Sequence, residues 1–499
     1  MRYKAIGICA CAAVLVLGFF NWGMGMLFGQ TTQRRFHQHA DAAPKSECTE
    51  SHTGGELCTH LPLICIDTGG REIPGKGLTD EEGKHIGFSV TPEGEDRITA
   101  SLRVIDREAE YNHVNDEPAA QSDAVIHIRG NSSRFFEKSG YSIRLVDGEG
   151  NNNPLPLLGM GSHHEWVLHG PYLDKTLVRN YMMYNLAGEI MNYSPNVRFC
   201  EVLLNGEYAG VYVLTETITA GKDGARLTMS VDAKNSSFTG YLLRMDRREE
   251  AYGRRLDNLT AYSLRCDPDL MIRVEYPGTK NLTQGLKDAI EADFSRFEKA
   301  LYSYDFNDSA HGWKKYIDAD SFVSYFLINE LTVNYDAGAY STYIYKDTGG
   351  KLKMCVWDFN NSCDNYQEQS VMKVQHFEMQ NKLWYGMLMK DSDFVGLVID
   401  KYKTLRETVF SDEYLEGYID SALSYLGDAV ERNNTRWACA FGDEGLLYPA
   451  ERNLYSHAEA VEQLKSFLRE RTAWMDDNIE SLRQYCADSK IKKYTEATD

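Results

Sequence analysis

The chain has 499 residues, of which 43% are hydrophobic and 25% are charged, a composition typical of globular proteins rather than disordered ones. Acidic residues (73) outnumber basic residues (53), which gives a formal net charge of −20. Because nucleic-acid binding requires clustered Lys and Arg, this balance argues against a nucleic-acid partner.

The N-terminal segment, residues 1–29, predicts export from the cytoplasm. Arg2 and Lys4 precede an uncharged apolar stretch from Ala5 to Gly29, which is long enough to cross a bilayer. The early positive charges predict an N-terminus inside and a body outside the cytoplasm. We favour an uncleaved anchor, with a cleaved signal peptide as the alternative. Either one implies a protein that is tethered to a membrane or secreted to the cell surface.

The chain from residue 30 to residue 216 predicts a linker followed by a β-rich region. Residues 30–60 are polar and irregular, as linkers are. Apolar and alternating stretches then predict strands, and an Asn-Gly pair predicts a hairpin turn. A helix is expected over 174–191. The predicted strands are 61–66, 86–90, 98–105, 125–129, 141–145, 197–204 and 208–216.

The remaining chain predicts further mixed structure that becomes mainly helical. Strands are expected over 240–245, 341–346 and 351–356, and helices over 285–303, from Asp320 onward, and over 413–432 and 455–485. The predicted class is therefore α+β, with a β-rich N-terminal region and a helical C-terminal part. The predicted divisions are 1–29, 30–60, 61–125, 126–440, 441–486 and 487–499.

Asp336 and Asp358 are the acidic residues whose positions favour chemistry. Asp336 follows a predicted helix and Asp358 follows a predicted strand, 22 residues later (358 − 336 = 22). The hairpin between them can bring both loops to one end of a sheet. One or two carboxylates with substrate phosphates commonly bind Mg²⁺, and phosphoryl transfer depends largely on such positioning. The simpler interpretation is that both are ordinary turn residues.

Residues 127–145 predict a second element of a site, a strand–loop–strand unit. Gly130, Asn131 and Ser132 could contact phosphates through backbone N–H groups. Arg129, Lys138 and Arg144 could neutralise phosphate charge, although no P-loop pattern is present. Glu216 closes an apolar strand and could pair with a cation near a nucleotide. Each feature also fits an ordinary turn or strand end.

Seven motifs in order make the sequence similar to the CotH (spore coat protein H) kinase family. They are IRGNSS, a basic-aromatic stretch, LLGMGSHHEWVLHGPYLDKTLVRNYMMYNLA, VLLNGEYAGVYVLTETI, GYLLRMD, NELTVNYDAG and VWDFNNSCDN. The resemblance covers about residues 60–440. It implies an atypical protein kinase-like fold that uses ATP and Mg²⁺, or Mn²⁺, to phosphorylate Ser or Thr of other proteins, in spore coats or outside the cell.

By this resemblance Asp358 matches the family's metal-binding aspartate and Asp336 its other essential aspartate, expected to be catalytic or metal-linked. Arg129, Asn131 and Ser132 match the nucleotide-side loop, Glu216 matches a recurrent acidic position, and Lys138 and Arg144 compete as the phosphate-contacting cation. Asn360 stands where the family has Asp in W-D-[FY]-D, so it would bring a carbonyl oxygen but no charge to the metal.

Two other functions fit the same residues. Asn360 favours a non-catalytic surface-binding or spore-coat assembly protein on a kinase-like scaffold. A glycoside hydrolase using Asp336 and Asp358 is the other, and it would require two carboxyl groups about 5–10 Å apart in a sugar-sized cleft.

Overall fold

The computed structural model describes residues 35–47, 57–248, 253–262 and 269–489. The described residues from Gln38 onward belong to one compact unit. Within the described ranges, no helix is long and apolar enough to cross a membrane. The predicted anchor, 1–29, lies outside the described residues and stays a prediction.

A closed seven-stranded barrel forms the N-terminal half. Its strands are β1 (Leu63–Asp67), β2 (Ile98–Ile105), β3 (Ala120–Arg129), β4 (Gly140–Val146), β5 (Glu165–His169), β6 (Val197–Leu204) and β7 (Glu207–Glu216). They pair antiparallel in the order β6-β7-β5-β4-β3-β2-β1, and a parallel pairing of β1 with β6 closes the barrel. The predicted division at residue 125 therefore falls inside a barrel strand.

Alternation of side chains along the strands fills the barrel. In β2, Ile98, Ala100, Leu102 and Val104 are all at most 4% exposed, as expected when successive side chains point to opposite faces. The hairpin β6–β7 turns at Asn205 and Gly206, which have φ of 51° and 81°, the left-handed values that an Asn-Gly turn adopts.

A second, four-stranded antiparallel sheet lies in the C-terminal half. Its strands are β8 (Tyr241–Arg247), β9 (Leu270–Tyr276), β10 (Thr342–Lys346) and β11 (Lys353–Cys355), in the order β9-β8-β10-β11. The main helices are α1 (Arg179–Ile190), α2 (Gln284–Leu301), α3 (Ala319–Thr332), α4 (Ser392–Arg406), α5 (Asp412–Leu426), α6 (Ala429–Arg436) and α7 (His457–Asn478).

The central helix, α3, is buried on every side from Ser321 to Thr332. Asp318 rather than Asp320 caps it, since the Asp318 side chain accepts a hydrogen bond from the N–H of Ser321. Helix α1 begins at Arg179, five residues later than predicted. Residues 174–178 form a turn instead, in which the Asp174 carboxylate accepts a hydrogen bond from the N–H of Arg179. The predicted α+β class, with a β-rich N-terminal region and a helical C-terminal part, is confirmed.

Candidate active site

The turn that presents Asp336 begins where α3 ends. Val333 caps the helix in the left-handed region (φ 45°), which is unusual and strained for a β-branched residue. The Asn334 N–H donates to the carbonyl of Asn329 (3.0 Å), and the Tyr340 N–H donates to the carbonyl of Asp336 (2.8 Å). The backbone on both sides of Asp336 is therefore fixed by hydrogen bonds.

The turn that presents Asp358 follows strand β11 and is supported by helix α1. Asp358 is itself left-handed, with φ of 64°. Its N–H donates to Tyr184 Oη (2.9 Å), and the next N–H, of Phe359, donates to Asn180 Oδ1 (2.9 Å). Further along the turn, Arg179 of α1 donates to the carbonyls of Ser362 and Cys363. Helix α1 thus determines where the Asp358 carboxylate lies.

Two asparagines join the two turns. Asn334 Nδ2 donates to the carbonyl of Asp358 (3.1 Å), and Asn361 Nδ2 contacts Asp336 Oδ2 (3.4 Å). The structure therefore brings Asp336 and Asp358 together, as the hairpin between them allows.

Burial raises the pKa of both carboxyl groups. The negative charge of Asp358 raises the pKa of Asp336 further, while Arg247 opposes this. Arg129 in turn opposes the rise in the pKa of Asp358. A carboxyl group whose proton affinity is raised by burial and by a neighbouring carboxylate is expected where a cation or a proton binds.

Two buried oxygens at this site, Asp336 Oδ1 and Asn334 Oδ1, have no hydrogen-bond partner among the residues that the structure describes. An unpaired buried oxygen is costly, and oxygen is the ligand that Mg²⁺ prefers. No group of three or more His, Cys, Asp or Glu side chains forms a metal site within the part of the chain that the structure describes. The residues present therefore fit a cation bound by one or two carboxylates, amide oxygens and phosphates, rather than a complete protein cage.

Asn360, which replaces the expected aspartate, is held by α1. Its Oδ1 accepts from Asn180 Nδ2 (2.6 Å), and its carbonyl accepts from Asn365 Nδ2 (2.6 Å). An amide carbonyl oxygen has a second lone pair, so the Asn180 bond leaves one available to a cation. This arrangement needs no charge at position 360.

Arg129 is the predicted nucleotide-side residue that the structure places beside the carboxylates. It ends strand β3, and its guanidinium lies over the Trp357 ring, 5.5 Å from the centroid. Asn131 and Ser132 follow on an exposed turn that begins a short 3₁₀ helix, Ser132–Phe135. Among the described residues, the side-chain hydrogen bonds of Asp336 and Asp358 involve Asn361 and the N–H of Asn360 rather than Asn131 or Ser132.

Lys138 lies elsewhere, fully buried between the barrel and helix α6. Its Nζ donates to the carbonyl of Val211 (2.6 Å) and to Asn433 Oδ1 (2.7 Å). Burial lowers its pKa well below the ordinary value. These contacts occupy the amine in joining α6 to strand β7.

Arg144 and Glu216 also lie apart from the two aspartates. Arg144 pairs opposite Val125, four residues along β3 from Arg129, which corresponds to about 13 Å along the strand, and it donates to Asn152 Oδ1 (3.1 Å). Glu216 is buried in an ion pair with Arg226 (3.1 Å) and accepts from Asn196.

Sequence reasoning did not single out four residues that complete the site: Asn180, Tyr184, Asp246 and Arg247. The first two lie within the motif that contains LVRNYMMYNLA, and Asp246 closes GYLLRMD. The signal was their position inside motifs, but what they contact depends on how α1 and β8 pack. Asp246 raises the pKa of Asp358, and Arg247 lowers the pKa of Asp336.

Comparison with known proteins adds family information to this geometry. A family model described as CotH kinase protein matches residues 126–475, which is more than half of the chain and contains every predicted site residue. The chain is also similar to Inner spore coat protein H of Bacillus subtilis (strain 168). The two are 22% identical over 303 residues, which cover 59% of this chain and 74% of that relative.

Proposed function

The chain belongs to the CotH kinase protein family, and from that premise we propose that it transfers the terminal phosphoryl group of ATP to Ser or Thr hydroxyls of other proteins. The observation that carries the proposal is the juxtaposition of Asp336 and Asp358 on two linked turns, with Asp336 Oδ1 unpaired among the described residues. The proposal extends to a kinase-like fold, with the barrel on the nucleotide side and the helical part on the acceptor side.

In this mechanism Asp336 orients the acceptor hydroxyl and accepts its proton. The hydroxyl oxygen forms a bond to the terminal phosphorus, while the bond from that phosphorus to the bridging oxygen breaks. ADP leaves with the electron pair of the broken bond. The raised pKa of Asp336 suits a group that must accept a proton near neutral pH.

Asp358, Asn334 Oδ1 and the remaining lone pair of Asn360 Oδ1 are the ligands that would bind Mg²⁺ or Mn²⁺. When bound, the ion neutralises phosphate charge. The chain's own contribution is to fix these oxygens in place: Tyr184 and Asn180 hold the backbone at 358–359.

The relative named for an inner spore coat supports a coat or surface location for this chain. The apolar segment 5–29 supports tethering to a membrane. A non-catalytic coat-assembly role is the second candidate, and the observation that favours it is Asn360 in the place of a second charged metal ligand.

The test is transfer of label from γ-labelled ATP with Mg²⁺ to dephosphorylated casein, and to the chain itself, by the full-length protein in detergent. We expect Asp336→Asn to reduce transfer about 10²- to 10⁴-fold, the usual contribution of a general base. Asp393→Asn, which removes a carboxylate whose side chain is 68% exposed, is the matched control and should transfer normally. Absence of label, with no ATP-dependent change in melting temperature, would leave the coat-assembly role.

A further inference from the structure

Several positively charged side chains surround Asp336 and Asp358, and they differ in whether a carboxylate of the protein already pairs with them. They are Arg129, Arg244, Arg247 and Lys382, whose positive charges act on Asp336 or Asp358. A substrate phosphate needs donors that no protein group uses, so the occupied cations can be set aside first.

Arg244 and Lys382 already have carboxylate partners, which neutralise their charges. Arg244 forms a close ion pair with Asp246 on the same strand, β8. Lys382 pairs with Glu378 and donates to the carbonyl of Tyr335. Both therefore support the site from outside rather than face a ligand.

Arg247 has open donors. It ends β8, its side chain is 47% exposed, and its guanidinium lies over the Tyr340 ring, 4.0 Å from the centroid. The carboxylate within its reach is Asp246, at 3.9 Å, and Arg244 already pairs with that group. Tyr340 is hydrogen-bonded to the backbone of Asp336, so Arg247 is fixed against the same turn that presents the catalytic carboxylate.

The guanidinium of Arg129, beside Asp358, also has donors that are available to a ligand. Its guanidinium lies over Trp357, next to Asp358 in the chain, and it forms no hydrogen bond or ion pair within the described ranges 35–47, 57–248, 253–262 and 269–489. Two guanidinium groups thus flank the carboxylate pair: Arg247 lies against Tyr340, near Asp336, and Arg129 lies against Trp357, next to Asp358.

We propose that Arg247 and Arg129 form a two-sided polyphosphate clamp, with Arg247 contacting the phosphate that is transferred at Asp336. Arginine presents several N–H donors in a planar fork that matches phosphate oxygens. The inference rests on the proposed function, and it assigns the phosphate contact to Arg247, a residue that neither the motifs nor the charge pattern singled out. Lys138 and Arg144 are not part of this clamp, because Lys138 donates to Asn433 and Arg144 lies opposite Val125, about 13 Å along β3 from Arg129.

The test compares Arg247→Gln with Arg248→Gln in the full-length protein. Arg248 is the next residue and is also exposed, but it lies beyond the end of strand β8. Calorimetric titrations use Mg·ATP, inorganic tripolyphosphate and adenosine. We expect Arg247→Gln to weaken binding of both phosphate ligands about 10- to 100-fold, as loss of a charge-assisted hydrogen bond does, and to leave adenosine unaffected. Arg247→Lys should recover part of the affinity, because it keeps the charge without the fork.

The outcomes separate this proposal from the proposed function. Equal affinities of Arg247→Gln, Arg248→Gln and wild type for both phosphate ligands would overturn the clamp. Tripolyphosphate binding that depends on Arg247, in a protein that transfers no label, would keep the clamp and reject the kinase. Wild-type protein that binds neither phosphate ligand would overturn both.

Discussion

Glu330 and Asp336 lie six residues apart, one inside α3 and the other in the turn after it, and they show two fates of a buried acid. Glu330 is 0% exposed and pairs with Arg471, which is also 0% exposed. Its oxygens further accept from the N–H groups of Glu378 (2.7 Å) and Met379 (2.8 Å). Asp336 Oδ1, by contrast, has no hydrogen-bond partner within the described part of the chain.

Burial raises the pKa of both acids, so proton affinity alone does not separate them. Their partners do. The protein satisfies every oxygen of Glu330 because that carboxylate connects α3, α7 and the chain at 374–379, as the Arg471 contacts with the carbonyls of Val374 and His376 indicate. The oxygen left open on Asp336 is the one available to a ligand.

The largest effect on stability should come from breaking the satisfied pair. Arg471→Met leaves the Glu330 charge buried without its partner, which typically costs about 3–5 kcal/mol. Urea unfolding measures the loss. Arg469→Met, two residues away on the exposed face of α7, is the control and should move the unfolding midpoint little. A stable Arg471→Met protein would show that the pair is not what fixes this region.

Lys138 and Arg247 give the same contrast for cations. Lys138→Met leaves the Val211 carbonyl and Asn433 Oδ1 without their donor, so we expect a loss of about 1–3 kcal/mol in the free energy of unfolding and an unchanged KM for ATP in the remaining folded protein. Denaturant titration measures the free energy of unfolding, and initial-rate kinetics measure the KM for ATP. A raised KM without loss of stability would make Lys138 the phosphate contact instead.

The contrast also predicts that removing the unsatisfied acid stabilises the fold. The folded-state pKa of Asp336 is raised above its unfolded value of about 3.9, so its contribution to stability is lost as the pH rises from about 4 through the folded pKa. In EDTA at pH 7, Asp336→Asn should therefore raise Tm by roughly 2 °C. Thermal scans at pH 7 and pH 3.5 test the sign, because the gain should vanish at the lower pH. A lower Tm at pH 7 would mean that the ionised carboxylate is already satisfied.

The smallest effect is expected at Asn360. Asn360→Asp adds a charge beside Asp358 and can still accept from Asn180, so we expect divalent-cation affinity to rise by about three- to tenfold, in line with the modest coupling between nearby charges. Mn²⁺ binding followed by electron paramagnetic resonance measures it. Unchanged affinity would place position 360 outside the cation's ligand set.

The sequence predicts local structure where the pattern is local. Strand Ile98–Ile105 has the bounds that its alternation predicts, and the Asn205-Gly206 hairpin forms as expected. The positions of Asp336 and Asp358 after a helix and a strand also follow from local pattern. The contacts of Lys138 do not follow from local pattern, because its partner Asn433 is 295 residues away in the sequence. Arg247 meets Asp336 only because β8 pairs with β10, a register that no short motif encodes.

The most direct test of the account is a crystal structure with Mn²⁺ and a non-hydrolysable ATP analogue. We expect an anomalous peak for Mn²⁺ about 2.0–2.2 Å from an oxygen of Asp358, the distance expected between a small divalent cation and an oxygen ligand. It also predicts the terminal phosphate between Asp336 and Arg247. A nucleotide bound with its phosphates away from both aspartates, or a cation bound elsewhere, would contradict it.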